Sequence, residues 1–197
     1  MQDLINKIKL QIELSSKAED SLLSIATEKN IQKGTTLILE GQVVNKIYYV
    51  KSGCLRSFCS DKKGKEHTLV FAIKDWWISD YIAIYGNSDA VLTVEAITDA
   101  NVIEFNVEEF DEILSLFPEF ETFRTQKLRR YVVSLQQRVL NQLKLSSLER
   151  YELFLKQYPD MEKDIHNYHI ASFLGITETS LSRLRVENSK NSFLTRG

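Results

Sequence analysis

Residues 167–186 read NYHIASFLGITETSLSRLRV, and the spacing within this stretch predicts two helices joined by a tight turn. Ala171 is small where two helix backbones must approach closely. Four positions on, Gly175 can supply the positive-φ turn that a β-carbon makes costly. Ile170, Leu174 and Ile176 are placed to fill the angle between the helices, and Thr177 to cap the second. Leu181 and Leu184, three residues apart, bury that helix's inner side. At about 100° per residue, Thr179, Ser182, Arg183 and Val186 then face outward.

A helix-turn-helix is either a reader of double-stranded DNA or only a packing device, and the outward arginine favours the first. Arg183 can donate two parallel hydrogen bonds to O6 and N7 of a guanine in the major groove. Thr179 and Ser180 lie near the helix N-terminus, where bases or phosphates are within reach. Tyr168 and His169, at the start of the first helix, are candidate backbone contacts. The predicted DNA-binding set is thus Tyr168, His169, Thr177, Thr179, Ser180, Ser182, Arg183 and Arg185. Within it, Arg185 sits nearer the inner edge, with a phosphate or packing role. Only ENSKNSFLTRG follows, with Lys190 and Arg196 as further phosphate partners at best.

Upstream, PEFETFRTQKLRRYVVSLQQRVLNQLKL (118–145) contains no glycine and no proline after Pro118, which predicts a helical rod about 40 Å long. Its apolar stripe, Leu128, Val132, Leu135, Val139 and Leu143, is close to a heptad seam. Such a rod lies on its own domain or pairs with a second copy, and the narrow stripe on a polar helix favours a homodimer. Ser146 and Glu149 form a capping box that starts a new helix, which Tyr158-Pro159 ends. The junction near Leu145 is a candidate hinge.

The first half has a different period. Residues 3–30 recur apolar at three- and four-residue steps and predict helix. From Gly34 onward, GTTLILEGQ, NKIYYVKSG, CLRSFCSD, EHTLVFAI, LTVEAIT and NVIEFN are short β-branched and aromatic runs cut by turns such as DKKG (61–64). These predict an antiparallel β-roll or jelly roll, followed by a helix capped at Asn106. The fold class is therefore α+β: a sensor-like roll with flanking helices (1–117), a long dimerisation helix (118–145) and an all-α helix-turn-helix domain (146–197).

The net charge of −2 hides an asymmetry. Residues 1–122 hold 12 Lys/Arg against 20 Asp/Glu, whereas 123–197 hold 13 against 7, so the basic part is the one that carries the helix-turn-helix. No window is long and apolar enough to suggest a membrane span, and the opening residues lack the apolar block of a secretory signal, so a cytoplasmic protein is expected. Cys54 and Cys59, five apart in a strand-like run, point to opposite faces and are expected to be free thiols.

In order and motif, the chain resembles the Crp/Fnr family of bacterial regulators along nearly its whole length. KGTTLILEGQVVNKIYYVKSGCLRSFCSDKKGKEHTLVFAIKDWW is similar to the family's entry strands and hairpin. SSLERYELFLKQYP followed by HIASFLGITETSLSRLR is similar to the subgroup common in Bacteroidetes-type bacteria. The resemblance implies a transcription regulator acting as a homodimer on a near-palindromic operator, with RNA polymerase as a further candidate partner, and it matches Arg183 to the arginine that contacts a guanine. Glu178 and Thr179 stand where cAMP-responsive members have Arg and Glu. The family's usual wing strands after the reading helix look missing.

The resemblance also implies a cyclic-nucleotide pocket, built on a Gly-Glu-Leu turn and an Arg-Ser pair. Here Ile78, Ser79 and Asp80 fall at the turn, and Ala90 and Val91 at the pair, so the candidate effector pocket is Ser79, Asp80, Ala90 and Val91. A buried phosphate without a cation is costly, so cAMP is not expected to bind tightly. Two cysteines are too few for an iron–sulfur sensor, and His67 alone in the strand region is too little for a haem or metal site, so no cofactor and no metal are expected. The same shortage of ligands argues against a cupin-type enzyme, and no catalytic residues are assigned. The alternative to a regulator is a ligand- or partner-binding module whose degenerate helix-turn-helix does not touch DNA.

Overall fold

The computed structural model describes residues 1–159 and 161–194, with side chains described as far as Asn188. The chain forms two compact units: residues 1–59 with 69–131, and residues 60–68 with 132–197.

In the first unit, α1 (Gln2–Lys9) and α2 (Ser16–Ser24) precede β1 (Thr27–Ile31), β2 (Thr36–Ile38), β3 (Lys46–Ser52) and β4 (Leu55–Ser60). Then come β5 (Glu66–Ala72), β6 (Trp77–Ile78), α3 (Tyr81–Gly86), β7 (Thr93–Ala96), β8 (Ala100–Asn106) and α4 (Val107–Leu116). Two four-stranded sheets run in the orders β1-β8-β3-β6 and β2-β7-β4-β5. In the first sheet β8 pairs antiparallel with both β1 and β3, and Tyr49 lies opposite Ile103. In the second, β7 pairs antiparallel with β2 and β4, and Leu55 lies opposite Ala96.

The strand period of two explains how the sheets are filled. On β3, Tyr48 and Val50 belong to the core that also holds Leu55, Val94 and Ala96 of the other sheet. Ile47 and Tyr49 instead join Ile103, Phe105 and the inner faces of α1, α2 and α4. Both faces of β3 are therefore dry, which is why its sequence reads as an unbroken apolar run.

The expectation of helix across residues 3–30 is corrected. Leu10 ends α1, Ser15 caps α2 by accepting from the N–H of Ala18, and Thr27–Ile31 is a strand. Pairing with β8, Thr27 opposite Glu104, supplies the backbone partners that local periodicity could not reveal. Four of the five β1 residues are exposed, so the strand carries no apolar alternation.

Glu119–Lys144 form a single 26-residue helix, α5, about 39 Å long. Phe120 and Phe123 anchor its start in the core of the first unit. In the second unit, α6 (Ser147–Gln157) opens on the anticipated capping box: Ser146 Oγ accepts from Glu149 N and the Glu149 carboxylate accepts from Ser146 N. Tyr158 ends α6 as expected, and α7 (Asn167–Leu174) and α8 (Glu178–Leu194) complete the helices. The expectation of missing wing strands concerns residues C-terminal to α8, which lie outside the described residues. No described helix is long and apolar enough to cross a membrane.

Candidate nucleic-acid interface

The turn between α7 and α8 is built as the residue types require. Gly175 adopts φ +68°, and its N–H and that of Ile176 return to the carbonyls of Ser172 and Ala171, closing α7. Ile170, Ala171, Leu174 and Leu181 are all at or below 2% exposed, so the angle between the helices is a dry wedge. Thr177 Oγ1 accepts from Ser180 N at 3.1 Å, the N-cap bond that starts α8, and shares a 2.9 Å hydrogen bond with the Ser180 hydroxyl.

With Leu181 and Leu184 inward, Thr179, Ser182, Arg183 and Val186 are exposed together. The helix thus offers one guanidinium, two hydroxyls and an apolar contact on a single face. That set can donate to guanine, accept or donate at base edges, and touch a thymine methyl. Glu178 is also exposed, in the first turn.

Arg185 is held instead by its own unit. Its Nε is paired with Glu162 and its Nη1 donates to Asn167 Oδ1 at 2.6 Å. Glu162 also accepts from the Tyr151 hydroxyl, and burial together with that bond pushes the phenol up to about 12. Of the two roles read for Arg185, the geometry supplies packing. Arg185, Glu162, His166, Tyr168 and Glu178 line an open depression beside the start of α8.

Tyr168 and Ser172, one turn apart on α7, meet the hairpin tip 60–68. Tyr168 Oη accepts from Glu66 N at 3.1 Å, and Ser172 Oγ accepts from Thr68 N while donating to Glu66 O. Tyr168 therefore carries a protein partner as well as facing the depression. His169 is half-buried, its ring 5.6 Å from that of Tyr168. Arg196 lies outside the described residues, as does the side chain of Lys190.

Sequence reasoning passed over two arginines that shape this surface. Arg138, on α5, donates to Phe173 O and Thr68 O and stacks 4.5 Å over the Phe173 ring. Burial holds its guanidinium below the usual arginine range. Arg150, on α6, donates to Leu174 O at 3.2 Å and to Leu145 O at 2.7 Å, tying the candidate hinge to the end of α7. Neither partnership has a sequence spacing that could announce it.

The four pocket residues are in the first unit. Ser79 donates to Lys46 O at 2.7 Å and is 4% exposed; Ala90 is equally buried, and Val91 is 41% exposed. Asp80 is fully buried and brings two of the four together, accepting from Val91 N at 2.7 Å. Cys54 and Cys59 are free thiols, the first buried. Among the described residues, no group of three or more His, Cys, Asp or Glu side chains is gathered for a metal ion.

A two-sheet roll thus precedes a long helix and a helix-turn-helix whose second helix has an exposed outer face. Residues 28–116 match the cyclic nucleotide-binding domain family. The transcriptional activator protein FnrA of Stutzerimonas stutzeri is 23% identical over 199 residues, covering 94% of this chain and 80% of that protein. Two solved structures share the fold: FixK2 from Bradyrhizobium japonicum, with TM-score 0.73, 16% identity and coverage of 85% of this chain and 86% of that one, and the c-di-GMP responsive regulator CLP from Xanthomonas campestris, with TM-score 0.69, 12% identity and coverage of 90% and 93%. Over nearly its whole length the chain is thus similar to a transcriptional activator, and its fold is that of solved regulators of the Crp/Fnr family.

Proposed function

We propose that this protein is a transcription regulator of the Crp/Fnr type that acts in the cytoplasm as a homodimer, placing two copies of α8 in successive major grooves of a near-palindromic operator, about 34 Å apart. The observation that carries the reading is the shared exposure of Thr179, Ser182 and Arg183 on a helix whose opposite side is sealed by Leu181 and Leu184. Arg183 is assigned to a guanine, and Thr179 and Ser182 to neighbouring base edges. Thr177 and Ser180 fix the start of the helix, Tyr168 and His169 lie toward the DNA backbone, and Arg185 orients the depression wall. The sensor roll spans 1–117, the dimerisation helix 118–145 and the reader 146–197.

The stripe Leu128, Val132, Leu135, Val139 and Leu143 is the proposed seam. Four of the five side chains are exposed, and a solvated apolar row of that length is stabilised by a matching row on a second copy. The roll is not assigned cAMP as effector, because the residues standing at the phosphate position are Ala90 and Val91, with the Asp80 carboxylate beside them. RNA polymerase is the further partner proposed for the DNA-bound state.

The test is DNA binding by the full chain to duplexes selected from a random-sequence pool. Arg183→Ala is expected to weaken binding roughly tenfold or more and to relax one base position in each half-site, in line with about 1 to 3 kcal/mol per bidentate contact. Unchanged affinity and unchanged preference in that variant overturn the assignment of the reading helix.

A further inference from the structure

Asp80 has no surface accessible to solvent, yet every hydrogen bond of its carboxylate goes to the main chain. One oxygen accepts from Ile82 N and Ala83 N, each at 3.1 Å, and so caps α3. The other accepts from Val91 N at 2.7 Å and Leu92 N at 2.8 Å, from the segment that leads into β7. Four N–H donors from two separate segments thus converge on one negative charge, the arrangement by which backbone nests hold anions. The segment at 90–92 is itself pinned, since Ala90 exchanges two backbone bonds with the loop at 41–42. This is the stretch at which the family resemblance places the phosphate of a bound nucleotide, and there the chain supplies an anion of its own.

The next residue reaches the long helix. Tyr81 packs edge-on against Tyr131 of α5, with ring centroids 5.3 Å apart, and stacks on Tyr85 at 6.3 Å. The capping bonds fix the first turn of α3, hence the direction in which Tyr81 leaves it.

We propose that Asp80 is a resident anion, a positioning residue that joins α3 to residues 91–92 and holds Tyr81 on Tyr131, so that the roll and the start of α5 are set in one arrangement with no anionic effector bound. The DNA readout of this idea rests on the regulator reading above; its stability and rescue readouts do not.

The experiment uses the full chain, Asp80→Ala, Asp80→Asn and Tyr131→Ala, with Arg183→Ala as the control for DNA reading. Asp80→Ala leaves four buried donors without their charge, and Asp80→Asn turns an amide N–H toward two of them. Melting points are expected to fall by about 5 to 15 °C. Acetate, compared with chloride at equal ionic strength, is expected to raise the melting point of Asp80→Ala by several degrees and to leave the wild type unmoved. At a temperature where each variant is folded by circular dichroism, DNA affinity falls roughly tenfold in both Asp80 variants and in Tyr131→Ala, the size of a typical coupling between sites. Acetate restores it in Asp80→Ala alone.

Wild-type affinity in the Asp80 variants, or melting points indifferent to acetate, overturns the proposal. If Asp80→Ala does not fold, Asp80→Asn and Tyr131→Ala carry the DNA readout, and wild-type affinity in both overturns it equally. Loss of the Arg183→Ala effect sinks the DNA reading instead; the proposal then stands or falls on acetate rescue.

Discussion

Arg150 shows how one side chain can decide the stiffness of a junction. Its guanidinium donates to Leu145 O, Leu174 O and Ser147 Oγ, so the end of α5, the start of α6 and the end of α7 share a single fork. Lysine offers a point charge instead of that planar array, so the two are not interchangeable here. Arg150→Ala is expected to cost about 1.5 to 3 kcal/mol, because it removes charge-assisted bonds from carbonyls at helix ends that have no N–H of their own helix to accept from. For a chain of this size that corresponds to a melting point lower by roughly 3 to 12 °C, read by calorimetry. Hydrogen exchange localises the loss: Gly175, Ile176 and the first turn of α6 are expected to lose protection before the core of the first unit. Uniform loss of protection refutes the local role.

At the scale of elements, the capping box at the start of α6 carries a pH signature. The Ser146 hydroxyl and N–H hold the Glu149 carboxylate below its ordinary value of 4.5. A lowered folded value means that the contribution is complete above 4.5 and is lost as pH falls through the folded value. Glu149→Gln should therefore differ in stability from wild type at neutral pH and converge on it in acid. Ser146→Ala, which loses the cap at every pH, is expected to cost about 0.5 to 2 kcal/mol. A gap between wild type and Glu149→Gln that widens in acid contradicts the sign.

This element was legible because all its determinants lie within four residues. The same is true of the turn at Gly175, the Thr177 cap, the Asn106 cap and the inward pair Leu181 and Leu184. Strand β1 was not, since its exposed residues are ordered by pairing with β8, where Lys29 lies opposite Val102 and its ammonium reaches Glu104, 75 positions on. The short helix α3 was invisible for a different reason: six residues carry too little periodicity, even though its Asp80 cap is local; what no local reading reveals is that the same carboxylate also holds Val91 and Leu92. On α8, Ser182 and Arg183 are exposed as their helical spacing from Leu181 and Leu184 implies, while the Glu162 partner of Arg185 lies 23 residues upstream and left no local trace.

For the whole molecule, the decisive quantity is the apolar row along α5. Leu128, Val132, Val139 and Leu143 are 58%, 45%, 59% and 77% exposed, and Val133 and Leu140, which the heptad reading omitted, widen the row at 63% and 42%. Fully burying such a side chain stabilises by about 1.5 to 3 kcal/mol, so a matched row on a second copy supplies enough to hold two rods together after the entropy of association is met. In the proposed homodimer, if its two copies of α5 run parallel, introducing Glu at both Val132 and Val139 sets carboxylates against their symmetry mates, a repulsive and desolvating arrangement. Sedimentation should then report a monomer with an unchanged far-ultraviolet spectrum. If each half-site is read by one copy of α8, as proposed, losing the link between copies converts one tethered event into two independent ones, and affinity for a two-half-site duplex should drop by roughly a hundredfold or more. Affinity for a single half-site should stay the same, since Thr179, Ser182 and Arg183 are untouched. A monomer that binds the full duplex as tightly as wild type removes dimerisation from the mechanism, and a double variant that still sediments as a dimer places the seam elsewhere than on this stripe.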